Sequence, residues 1–113
     1  MKIVEKLSLA ELKQMAERMY GSLVKADVDV VKQQVIVDME MHADGEAELL
    51  EKGSKQEDLW GINLYPEKYG SPDFIEFDSM INIKPRQNNM NRGVDDPLIR
   101  EKIIKIVGKV VHE

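Results

Sequence analysis

The alternation of apolar and polar residues between Val24 and Met41 constrains this chain most. Val24, Ala26, Val28 and Val30 are separated by Lys25, Asp27 and Asp29; Val35, Val37, Met39 and Met41 then flank Asp38 and Glu40. Successive side chains of a strand point to opposite sides, so this spacing predicts a hairpin with one wet face. A turn centred on Lys32-Gln33 opposes Val30 to Val35, Val28 to Val37, Ala26 to Met39 and Val24 to Met41. Every apolar residue then lands on one face, and a slip of one residue would bury the acids. The turn has no Asn-Gly or other glycine of the kind that a tight primed turn prefers, which allows a slightly longer loop.

Helices bracket the hairpin. Ser8 and Glu11 form a capping box, and Leu9, Leu12, Met15, Ala16, Met19 and Leu23 recur behind it at helical spacing, with Gly21 as a stop. Residues 42–53 read as a short acidic helix, with Asp44 as cap, Ala47, Leu49 and Leu50 as inward edge, and Gly53 as left-handed terminator. The last helix has Asp96 as cap, Pro97 in the first turn, and a stripe of Ile99, Ile103, Ile106, Val107 and Val110.

Between the second and third helices, Leu59 to Tyr65 and Phe74 to Lys84 read as strands joined by the turn formers PEKYGSPD. Their pairing sets Trp60, Ile62 and Leu64 against Ser79, Phe77 and Ile75, with Asn63 meeting Glu76 and Tyr65 meeting Phe74 on the other face. The order helix-strand-strand-helix-strand-strand-helix predicts an α+β fold. Its sheet is four-stranded and mainly antiparallel, with about three helices on one face, in a single domain over residues 1–113.

Composition narrows the function classes. Apolar residues make up 42% and charged residues 33%, a globular balance rather than a disordered one. The net charge of -5 argues against a general nucleic-acid or anionic-membrane binder, because both require a basic field. The charge is uneven: residues 1–79 carry 9 basic and 17 acidic groups, whereas residues 80–113 carry 7 and 4. There is no cysteine, which excludes disulfides and thiolate-held metals. MKIVEKLSL is too short and too charged for a signal peptide, and no apolar run approaches ~20 residues, so a cytoplasmic protein is expected.

The segments HADGEAELLEKGS, LWGINLYP and INIKPRQNN, followed by RGVDDPLIR, are similar to the pattern of a small prokaryotic family classed as a domain of unknown function. The resemblance runs from about Val24 to the last helix. It implies a standalone single-domain protein and assigns no catalytic residue.

Two polar clusters stand out. In the hairpin register above, Asp27 and Asp38 oppose each other, with Asp29 and Glu40 diagonal, and His42, Asp44 and Glu46 follow. Opposed like charges are either solvated, neutralised by a basic partner, or used to hold a hard divalent cation such as Mg2+ or Ca2+. Asp27, Asp38, His42 and Glu46 are the candidate metal ligands.

The second cluster is the loop from Pro85 to Asp95, where Arg86, Gln87, Asn88, Asn89, Asn91 and Arg92 crowd amide and guanidinium donors before a helix N-terminus. Such donors suit a small anionic ligand, although Asp95 and Asp96 would repel a phosphate placed at that terminus. The alternatives are a structural loop whose side chains satisfy backbone carbonyls, or a protein or RNA contact. Arg86, Gln87, Asn88, Asn89 and Arg92 are the candidate ligand-binding residues.

No complete catalytic constellation is present. The expected function is a cytoplasmic ligand- or protein-binding module without catalysis or cofactor, forming a homo-oligomer through an open sheet face that bears Tyr65, Phe74 and Met80. The competing reading is a metal-assisted phosphoesterase or nuclease, with the acidic face and His42 holding the ion and Arg86 or Arg92 the phosphate.

Overall fold

Alternation on both sides of the sheet decides the architecture. A computed structural model describes all of residues 1–113. In chain order the elements are β1 (Lys2–Val4), β2 (Leu7–Ser8), α1 (Leu9–Arg18), β3 (Val24–Asp29), β4 (Gln34–Val37), α2 (His42–Glu51), β5 (Leu59–Leu64), β6 (Ile75–Glu76), α3 (Pro97–Val110) and β7 (Val111–His112). The expected α+β class holds. The sheet, however, has five antiparallel strands rather than four, in the order β1-β4-β3-β5-β6, and a parallel pair β2-β7 joins the two ends of the chain.

The hairpin closes two residues away from the predicted register, with Ala26 opposite Val37, Val28 opposite Val35 and Asp29 opposite Gln34. A shift of two preserves which face each strand residue takes, so Val24, Ala26, Val28, Val35 and Val37 face the main core. Met39, expected beside them, lies past the end of β4 after Asp38 at φ 69 and packs under α2 instead. The cause of the shift lies at Asp29. Its Oδ1 accepts the amides of Val31 and Lys32, both at 2.9 Å, and builds an Asx-type turn. The resulting four-residue loop ends at Gln33, which has φ 58.

The two helical caps at Ser8 and Asp96 form as expected. Asp44 does not cap α2: the helix begins at His42, with extended Met41 as its N-cap. Its C-terminus closes in a Schellman motif, with Gly53 N–H donating to Leu50 and Ser54 N–H to Leu49, made possible by Gly53 at φ 95.

The helices lie on both sheet faces, not one. On one face, α1 and α3 close a core of twenty residues, including Leu12, Met15, Val28, Val37, Trp60, Ile62, Ile103 and Val107. On the other, α2 covers a small apolar cluster of Ile36, Met39, Leu49 and Leu59. The inward edge of α2 is therefore His42, Gly45 and Leu49, while Ala47 and Leu50 are exposed. Of the three residues expected on an open sheet face, Tyr65 is half-buried and its hydroxyl donates to Glu76 at 3.0 Å. Phe74 packs into the main core against Tyr69, leaving Met80 exposed.

The predicted fourth strand, Phe74 to Lys84, pairs only at Asn63–Glu76 and Leu64–Ile75, in the expected register. Beyond Glu76 the chain leaves the sheet, and short 3₁₀ turns run at Met80–Asn82 and Pro85–Gln87. No helix is long and apolar enough to cross a membrane.

Candidate ligand-binding cleft

Where β6 stops, side chains take over the work of a strand. Asn82 accepts from the Gly61 N–H at 2.8 Å through Oδ1 and donates to the Gly61 carbonyl at 3.0 Å through Nδ2. A carboxamide carries one acceptor and two donors, so it can satisfy a strand residue that has lost its neighbour. Its second donor reaches the Arg92 carbonyl at 2.9 Å.

Asn89 is equally structural. Its Nδ2 donates to the carbonyls of Asn82 and Gly93 at 2.8 Å, and its Oδ1 accepts the Asp95 amide at 2.9 Å. Its backbone exchanges two hydrogen bonds with Lys84, which closes a tight loop over Pro85, Arg86, Gln87 and Asn88. Asn88 takes φ 58, a left-handed conformation that asparagine tolerates well.

The donor-rich loop therefore splits into two roles. Asn89 is buried, Asn91 holds both oxygens of Asp95, and Arg92 is paired with Asp78 at 2.6 Å. Arg86 and Gln87 are left at the tip, exposed. They line an open cleft of 660 Å³ whose opposite wall is the Lys55–Glu57 turn and whose floor includes Ile83 and Lys84. Arg92 does not line it, so the two arginines are not brought to one site.

Lys84 is 4% exposed. Its Nζ donates to the Gln56 carbonyl at 2.7 Å and lies 5.1 Å from the Trp60 ring centroid. Burial pushes its ammonium below the ordinary lysine value, against the opposing pull of Glu46, Asp27 and Asp58. Gln87 Nε2 donates to the Glu57 carbonyl at 3.1 Å, so two hydrogen bonds stitch the walls together. Neither Lys84 nor Lys55 was among the candidates read from sequence. Lys84 left one signal, as the lone charge between Asp78 and Arg86. Lys55 left none, because only the fold brings its turn to the loop.

The acidic candidates separate. The shifted register sets Asp27 against Ile36 and Gly61, not against Asp38. Asp38 leaves the strand at φ 69 and pairs with Arg18 at 3.2 Å. His42 is buried, and its Nε2–H donates to the Ile62 carbonyl at 2.8 Å; burial lowers its pKa and favours the neutral ring. Glu46 accepts from Gln56 at 3.3 Å. No group of three or more His, Asp or Glu side chains is arranged to hold a metal ion. The candidate hard-cation ligands Asp27, Asp38, His42 and Glu46 of the competing reading are not brought together as such a group.

Asp27 is instead an enclosed carboxyl. It is fully buried beneath α2, and neither oxygen has a hydrogen-bonding partner of normal geometry. Burial first, then Glu46, pushes its pKa up to about 9, while Lys84 and the Glu46 amide act in the opposite direction. At neutral pH it carries its proton. Asp29, its buried neighbour, is satisfied by the turn amides and by Ser54 Oγ at 2.6 Å, the residue that the Schellman motif delivers.

No curated protein and no solved structure matches this chain. A family model described as "Protein of unknown function (DUF5674)" does match, over residues 1–110, a span that takes in every element from β1 to α3. The expected kinship with a domain of unknown function is thereby met, and the chain belongs to the DUF5674 family.

Proposed function

We propose that the protein is a small cytoplasmic binding module, without catalysis of its own, that takes an anionic oxygen group in the cleft between Lys55–Glu57 and Ile83–Gln87. One observation carries the reading. In a chain of net charge -5, a 660 Å³ concavity is lined by Lys55, Lys84 and Arg86 against the single acid Glu57. The guanidinium of Arg86 can clasp a carboxylate or phosphate with two parallel N–H donors, and Lys84 supplies a point charge in a sheltered position. The cleft is preorganised because Asn89 braces the loop from within and Gln87 ties its tip across to Glu57, so little ordering is left to the ligand.

The reading is tested by amide chemical-shift titration with inorganic phosphate and with hexanoate. Shifts should concentrate at residues 55–57 and 84–87, saturating with Kd on the order of 1 mM or tighter. Arg86→Ala should weaken binding about tenfold without lowering thermal stability, and Arg86→Lys should not restore it, because an ammonium lacks the fork. Absence of any localised shift at either probe would remove the proposal.

A further inference from the structure

Beside the cationic cleft lies a second concavity of 390 Å³, and Gln87 lines both. Its wall holds a donor with nothing to donate to. Trp60 lines this space and is 1% exposed, and the polar atom of its side chain, the indole Nε1–H, is buried with no acceptor in the protein. Buried donors without partners are rare in folded proteins, and one in the wall of a concavity calls for an acceptor brought from outside. An indole nitrogen only donates, so no other kind of group answers it. The Lys84 ammonium of the cationic cleft lies 5.1 Å from the centroid of the same ring, which places Trp60 at the junction of the two spaces.

An anion does not suit that acceptor role, because Asp95 and Asp96 line the same concavity and no cation does. The acceptor is therefore a neutral oxygen, and the group beside it donates. Asp95 is fixed by the Asn91 amide at 2.9 and 3.2 Å and Asp96 by the Leu98 N–H at 2.9 Å. Each keeps lone pairs to spare, since an ionised carboxylate accepts about four hydrogen bonds. Pro97 and Ile99 add apolar surface to the same wall. A carbonyl flanked by N–H in a flat ring, the lactam edge of an oxo-nucleobase, presents acceptor and donor side by side. Its neutrality also avoids any conflict with the positive end of the α3 dipole.

Resting on the proposed anion-binding reading, we infer that the ligand is a nucleotide whose base, guanine or uracil, carries such a lactam edge. Its phosphate occupies the Lys55–Lys84–Arg86 cleft and its sugar crosses Gln87. The base carbonyl accepts from Trp60 Nε1–H, and the neighbouring ring N–H donates to Asp95 or Asp96. Adenine and cytosine present the reverse order, an amino group beside a bare ring nitrogen. They would set donor against indole donor and lone pair against carboxylate. A site whose polar groups are left unpaired in this way rejects the wrong base.

The test is calorimetric titration of the full chain with GMP, AMP, UMP and CMP, which share one phosphate and ribose. In at least one pair, GMP over AMP or UMP over CMP, the oxo base should bind at least about tenfold tighter, the effect of one unmet buried donor. The tighter of GMP and UMP assigns the base as purine or pyrimidine. Trp60→Phe keeps an aromatic ring, removes the donor and should bring that ratio to about one. The Asp95→Asn, Asp96→Asn double variant should reduce the same ratio without touching the core, and asparagine keeps the α3 cap intact. Arg86→Ala should weaken all four nucleotides about tenfold and leave the ratio as it was. Equal affinity within both pairs, a preference for the amino bases, or a ratio that survives in the folded variants overturns the nucleotide inference while the anion cleft stands. Inorganic phosphate that binds when no nucleotide does has the same meaning, and no binding of any of the five overturns both readings.

Discussion

The two faces of the sheet solve burial in different ways. Under α1 and α3 the strands present Val24, Ala26, Val28, Val35, Val37, Trp60, Ile62 and Leu64, and the helices answer with apolar stripes. Under α2 the same strands present Asp27, Asp29, Gly61 and Asn63, and the apolar contact is a small cluster of Ile36, Met39, Leu49 and Leu59 with Ile3 packed against it. The first face is stabilised by area removed from water, at about 25 cal/mol per Å². The second depends on polar groups finding partners, and it tolerates few vacancies because the groups are enclosed. Asp29 is fully matched, whereas Asp27 is not.

The largest expected effect tests that mismatch. Asp27 has its pKa raised to about 9, from an ordinary 3.8. Between those values the unfolded chain has released the proton and the folded chain still holds it. Stability is therefore undiminished below the lower value and falls as pH rises through the window, by up to about 1.4 kcal/mol per pH unit. Asp27→Asn has no proton to lose and should flatten the urea midpoint measured from about pH 5 to about pH 8. An unchanged slope in the variant would assign the pH dependence elsewhere and leave the two faces alike in this respect.

Steric contrast comes next. Gly45 of α2 lies so close to the sheet that an added Cβ would collide with Asp27 Oδ2 and come within 2.8 Å of the Met39 terminal methyl. Gly45→Ala should cost about 2 kcal/mol despite alanine's better helix propensity, because helix and strand must separate. Gly108 of α3 has nothing within 4 Å of the same position and is exposed. Gly108→Ala should therefore gain about 1 kcal/mol. Thermal melts of the two single variants must move in opposite directions for the comparison to hold.

The smallest effect concerns the loop. Arg92 and Asp78 form an exposed pair, their side chains 54% and 43% accessible. Arg92→Ala should lower stability by no more than about 1 kcal/mol and leave hexanoate binding intact. A variant that lost binding while remaining folded would return Arg92 to the recognition role first read from sequence.

Local chemistry made much of the fold legible. Capping at Ser8 and Asp96, the stripes of α1 and α3, and the alternation of β3 and β4 all act within a few residues, so their signals survive in the chain itself. The β5–β6 register was legible for the same reason, over the two pairs that form. Strands β1, β2 and β7 were not, because two or three residues carry no period and pair only once their partners are in place.

The candidate site was half legible. Donor density drew attention to the loop from Pro85 to Asp95, and Arg86 and Gln87 do line a cleft. Composition could not separate these from Asn89 and Arg92, since an amide that braces a backbone and one that meets a ligand are the same residue type.

By itself, then, the sequence determined the α+β class, the starts of two helices and the face taken by Val24, Ala26, Val28, Val35 and Val37. The tertiary structure alone decided that the polar face is covered. An aspartate in an alternating strand reads as wet, and only the Asx turn at Asp29, the Schellman end of α2 and the missing side chain of Gly45 let a helix settle over it. It also decided which cations meet, because Lys55 and Lys84 are distant in sequence and become neighbours only through the Gln56 carbonyl that Lys84 holds.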